Sequence, residues 1–61
     1  MTWVKEGEWY VFKYQAYPGA KRHWCIQTFG DGAWYDRWYC YDGTFSFKNE
    51  ADAALFLLRW A

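Results

Sequence analysis

His23 and Cys25 come closest, among the residues of this chain, to a catalytic base and its nucleophile. A working pair of that kind needs thiol and imidazole within hydrogen-bond reach, with a third group orienting the base. Residues 22–29 are rich in aromatic and β-favouring side chains, which predicts a strand. On a strand His23 and Cys25 share a face but stand about 7 Å apart, and no third group accompanies them. Cys25 therefore reads as a partly buried strand cysteine. Asp31 and Asp42 sit beside glycines as turn formers, and with Asp36 they show none of the fixed separation that glycosidase acids need across a cleft. Gly30-Asp31-Gly32 lacks the following helix and the Lys-Ser/Thr of a phosphate loop. One histidine and two cysteines without a CxxC pair do not make the four-ligand set of a zinc site. The expectation is a protein that is not an enzyme and uses no cofactor or metal.

Binding chemistry is better supplied. Lys13, His23, Tyr35, Arg37, Tyr39 and Tyr41 would make a polar-aromatic platform if they shared one sheet face. Such a platform suits a protein partner, because Tyr, Trp and Arg are the enriched hot-spot types. It also suits single-stranded nucleic acid, with the tyrosines stacking on bases and Lys13 and Arg37 beside them. Sugar rings are a further class, with Gln15 and Gln27 bonding to hydroxyls. A plain solvated face of β-favouring tyrosines is the simplest reading. Seven acidic residues balance seven basic ones, whereas nucleic-acid binders normally carry a basic excess. Among the binding readings a protein partner leads, and a single-stranded nucleic-acid module is the alternative.

Turn signals divide the chain into the elements that would position these residues. Pro18-Gly19, Gly30-Asp31-Gly32 and Asp42-Gly43 are the main breaks, with Gly7 a weaker one. Strands are predicted near 9–16, 22–29, 33–41 and 44–48, with Trp3-Val4 as a short extra strand or an N-terminal arm. This spacing predicts an antiparallel β-meander of about four strands in a single domain, 1–61. Asp42-Gly43 supports a two-residue type I′ turn, which pairs Tyr41 with Thr44, Cys40 with Phe45 and Trp38 with Phe47. A three-residue loop at 30–32 would pair Trp24 with Trp38, and a loop around Pro18 would add the first strand. One face then holds Tyr10, Phe12, Tyr14, Trp24, Ile26, Trp34, Trp38, Cys40, Phe45 and Phe47, the expected core. Asp36 falls at its rim or at a bulge. The opposite face carries Trp9, Val11, Cys25 and the platform residues.

Asn49 is a strong N-cap, and Asp52 stands where a capping box places its acid. Glu50 and Asp52 suit the positive end of the helix dipole, and Arg59 the negative end. A C-terminal helix near 50–60, packed on one sheet face, completes an α+β domain. At about 100° per residue, Asp52 and Arg59 fall nearly on one line, and beyond the first turn the remainder is apolar. A surface helix normally shows an apolar stripe of somewhat over 100°, so the excess calls for a second neighbour. Leu55, Phe56, Leu57, Leu58 and Trp60 are the expected interface of a homo-oligomer, a dimer first.

Size points the same way. A chain of 61 residues buries only about 60% of the surface its unfolded form exposes. Aromatic residues, 28% of the total, and self-association are the available supports. No apolar run reaches the roughly 18 residues of a membrane span. The chain opens on Met1 without a leader pattern, so a cytoplasmic product with reduced thiols is expected.

The stretch Phe45-Ser46-Phe47-Lys48-Asn49-Glu50-Ala51-Asp52-Ala53-Ala54-Leu55-Phe56-Leu57-Leu58-Arg59-Trp60 covers about a quarter of the chain. It resembles the ending of small uncharacterised proteins of tailed bacteriophages, including marine ones. Those close with an aromatic strand and an Asp-Ala-x-x-Phe-x-Leu-Arg/Lys-Trp-like helix. The resemblance implies a small viral protein expressed in a host cytoplasm and carries over no activity.

Overall fold

A computed structural model describes residues 2–30 and 36–61 of the chain. In chain order come β1 (Val4–Glu6), β2 (Trp9–Phe12), α1 (Pro18–Phe29), β3 (Trp38–Tyr41), β4 (Thr44–Phe47) and α2 (Glu50–Trp60). The strands form one antiparallel sheet in the order β1-β2-β4-β3. The expected α+β class is present, with a short N-terminal strand and a C-terminal helix on one sheet face. Each hairpin follows from its turn. Asp42 (φ 51°) and Gly43 (φ 78°) take the two left-handed positions of a type I′ turn. The pairs Tyr41–Thr44, Cys40–Phe45, Tyr39–Ser46 and Trp38–Phe47 follow as expected. Gly7 (φ 62°) opens the two-residue turn that sets Glu6 opposite Trp9 and Val4 opposite Val11.

Residues 22–29 depart from expectation. They are helical, within α1, so His23, Trp24, Cys25 and Ile26 lie on a helix and not on a strand. Pro18 stands in the first turn, where its missing N–H loses no hydrogen bond. Gly30 (φ 91°) ends the helix, its N–H donating to the Ile26 carbonyl at 2.9 Å. Lys21, Trp24, Cys25 and Phe29 turn inward at helical spacing. The sheet order changes with them. β2 pairs with β4, through Tyr10–Phe47, Val11–Ser46 and Phe12–Phe45. β2 and β3 therefore run parallel on either side of β4, joined through α1 in a split β-α-β unit. The first long strand also stops early, at Phe12. Tyr14 (φ 53°) swings the chain out of the sheet and is 79% exposed, so it leaves the expected core. Asp36 is exposed ahead of β3. Trp34 and Tyr35 lie outside the described residues.

Alternation sorts each strand into two faces. Phe12, Phe45 and Cys40 form one row toward the helices, and Tyr10, Phe47 and Trp38 the next. Phe56 of α2 packs on Phe12, Phe45 and Phe47, with ring centroids 4.8, 5.1 and 5.1 Å away. Phe29 of α1 meets Phe47 at 5.6 Å. These phenylalanines are buried, and each such side chain contributes roughly 1.5–3 kcal/mol. α1 is also the second neighbour that the wide apolar arc of α2 requires, since Trp24 meets Phe56 at 6.2 Å and Trp60 at 6.4 Å. Phe56 is thus core and not oligomer interface, and Leu57 and Trp60 are half-buried against the same cluster. Leu55 and Leu58 remain outward, Leu58 at 80% exposure. Among the described residues no helix is long and apolar enough to cross a membrane.

Candidate binding face

Both helices lie on the phenylalanine face, and the opposite face of the sheet has a different make-up. One row across it runs Val4, Val11, Ser46 and Tyr39. Thr44 and Tyr41 stand in the next row on one side, and Glu6 and Trp9 on the other. Two small residues, Thr44 and Ser46, occupy this face of the inner strand β4, with Val11 and Lys13 on one flank and Tyr39 and Tyr41 on the other. Small side chains between large ones make a trough. It is open to solvent, has a volume of about 300 Å³ and is lined by Glu6, Val11, Lys13, Tyr14, Tyr39, Tyr41, Asp42, Thr44 and Ser46. The loop after β2 closes one end of it, held by the Gln15 N–H donating to the Gly43 carbonyl at 2.7 Å. Trp9 extends the aromatic surface, edge-on to Tyr39 at 4.9 Å.

Charges on this face are partly spent on each other. Lys13 Nζ stands 2.8 Å from Glu6 Oε2, and that hydrogen bond raises the Lys13 pKa. Lys48 lies 3.5 Å from Glu8 and 5.0 Å from the Trp9 ring centroid. Asp42 has no lysine or arginine within 4.0 Å among the described residues.

Lys13, Tyr39 and Tyr41 are therefore together, as expected of the partner-binding platform, and two other expected members stand elsewhere. Arg37 turns to the helix side. Its Nε and Nη2 donate to the Asp52 carboxylate at 2.7 and 3.2 Å, which raises its pKa, and its guanidinium lies 5.1 Å from the Phe29 ring. His23 is exposed on α1, on the far side of the sheet from the trough. Tyr35 is outside the described residues. Tyr14, Asp42 and Glu6 join the trough without having been expected there. Thr44 and Ser46 were legible as the polar alternates of Phe45 and Phe47.

Cys25, expected as a partly buried strand cysteine, instead lies on α1 with His23. Residues two apart on a helix point about 200° from each other. Cys25 is fully buried, and burial pushes its thiol pKa up to about 12, so it is not a thiolate at neutral pH. Burial also raises the pKa of half-buried Cys40, against a lowering by Arg22. Among the described residues no group of three His, Cys, Asp or Glu is placed to hold a metal ion.

No family model, curated protein or solved structure matches the chain significantly.

Proposed function

We propose that the protein is a small non-enzymatic interaction module whose open sheet face binds a peptide-like segment of a protein partner. The observation that carries this reading is the trough of about 300 Å³ flanked by Tyr14, Tyr39 and Tyr41 on the face that neither helix covers. Scale selects the partner. Four strands at about 4.8 Å spacing and about four residues of strand length give a face of about 19 by 14 Å. That is well below the roughly 800 Å² that a standard interface buries on each partner, and it suits a short extended segment or a loop. Tyrosines supply contact area there at small entropic cost.

The test is selection from a displayed library of random twelve-residue peptides against the full chain. Enriched peptides are expected to weaken at least about tenfold on Tyr41→Ala, the loss of one hot-spot ring. Failure to enrich any peptide, or peptides indifferent to Tyr39→Ala and Tyr41→Ala, ends the reading. Single-stranded nucleic acid is the second reading, favoured by the same three tyrosines. It ranks lower because Arg37 is bonded to Asp52, Lys13 is bonded to Glu6, and phosphates would meet Asp42. Labelled oligonucleotides at low salt are expected not to bind.

A second copy of the chain is the other proposed partner. Ala51, Ala54, Leu55 and Leu58 are exposed at i, i+3, i+4 and i+7 on α2, a narrow apolar stripe of the kind that pairs helices. The likeness of the C-terminal stretch to tailed-phage proteins supports a role in an infected bacterial cytoplasm, and the neighbouring genes test that assignment.

A further inference from the structure

We infer that the trough takes a cationic side chain of the partner segment, arginine in preference to lysine, held between tyrosine rings and the Asp42 carboxylate. The inference rests on the protein-binding reading and narrows it to one chemistry. The first support is charge. Glu6, Lys13 and Asp42 line the trough. Lys13 and Glu6 satisfy each other at 2.8 Å, which leaves Asp42 as the uncompensated group. An anionic ligand would meet that carboxylate, and a cation would be drawn to it.

The second support is the state of the rings. Elsewhere on the molecule cations sit over aromatic faces: Lys5 over Tyr10 at 4.9 Å, Lys48 over Trp9 at 5.0 Å, Arg37 over Phe29 at 5.1 Å and Arg59 over Trp60 at 4.1 Å. Tyr14 and Tyr41 have no cation over their rings among the described residues, although they are 79% and 74% exposed and both line the trough. The negative face of a tyrosine ring attracts an ammonium or guanidinium within about 6 Å. The third support is room. A trough of about 300 Å³ lies at the small end of ligand sites, suited to one long side chain. Guanidinium is preferred over ammonium because its planar fork can bond a carboxylate through two N–H groups while it lies flat on a ring.

The test is a two-dimensional NMR titration of the full chain with the blocked peptide acetyl-Gly-Ser-Arg-Ser-Gly-amide. Versions carrying Lys, Gln or norleucine in place of Arg serve as comparisons. The arginine peptide is expected to shift Tyr14, Tyr39, Tyr41 and Thr44 saturably, with the lysine peptide weaker. Asp42→Asn is expected to weaken arginine binding at least about fivefold, and raised salt to weaken it further. Asn-Gly supports the same type I′ turn as Asp-Gly, so this variant keeps the hairpin, and unchanged shifts on the phenylalanine face verify that. Equal shifts from the norleucine or glutamine peptide, or arginine binding indifferent to Asp42→Asn, overturn the inference. Library-selected peptides that use the face without arginine or lysine overturn it too, yet leave the protein-binding reading standing. The lack of any face-dependent peptide removes that reading itself.

Discussion

Asp52 puts a carboxylate almost out of water, its side chain 9% exposed, and Arg37 supplies two hydrogen bonds to it from just ahead of β3. A hydrogen bond to a charged group contributes about 1.5–3 kcal/mol, and an unpaired buried acceptor is costly. Arg37→Ala is expected to destabilise the fold by roughly 1–3 kcal/mol, read from the midpoint of urea unfolding. Arg37→Lys restores only part, since an ammonium cannot reproduce the fork. An unchanged midpoint for Arg37→Ala would show that the pair is not holding α2 to the sheet. Cys25 gives a second residue-scale expectation. Its folded pKa, about 12, is raised above the ordinary 9.0 by burial. The neutral thiol therefore adds stability in full below pH 9, and that share is lost as pH rises from about 9 toward 12. Between pH 9 and 11 the unfolding midpoint of the parent should fall more steeply than that of Cys25→Ala, and parallel curves would refute the assignment.

At the scale of elements, α1 begins awkwardly. Its N-cap, Tyr17, is left-handed at φ 51° and ψ 55° and makes no side-chain capping bond, and the first turn holds no acidic residue. Left-handed backbone costs a non-glycine residue about 1–2 kcal/mol, while glycine adds about 0.4–1 kcal/mol of entropy to the unfolded chain. Tyr17 is 81% exposed, so little contact is lost, and Tyr17→Gly is expected to stabilise by about 0.5 kcal/mol. A fall in the thermal midpoint would mean that the ring has a partner or a packing role. The same element explains what was legible in the sequence. Asn49, Glu50 and the apolar run marked α2 at its observed bounds, and Asp42-Gly43 set the β3–β4 register residue by residue. α1 hid because His23 to Thr28 alternate in type as a strand would, and because a lysine, Lys21, occupies an inward position. Pro18 ahead and Gly30 behind were the helix signals, but they read equally well as turns. Of the site, Lys13, Tyr39 and Tyr41 were legible by parity. Tyr14 was not, because its left-handed backbone breaks the alternation that parity relies on.

For the whole molecule two surface features stand out, the polar-aromatic trough on the sheet and the apolar stripe on α2. A partner segment is the proposed cover for the sheet trough, and a second copy the proposed cover for the α2 stripe. If the stripe pairs copies, scattering mass should rise from one chain toward two with concentration, and Leu58→Lys should hold it at one. Leu58 is 80% exposed, so this variant leaves the core alone, and a parent that stays at one chain at every concentration rejects the dimer. The strand alternation has a further consequence, for how such a protein can change over generations. Tyr10, Phe12, Phe45 and Phe47 secure the fold, while Val11, Thr44 and Ser46, their immediate neighbours in the chain, line the trough. If the trough is the binding site proposed above, substitutions can rewrite what it recognises one residue away from those that keep the chain folded. A lineage, or a laboratory library, could then vary the trough while the phenylalanine layer stays as it is.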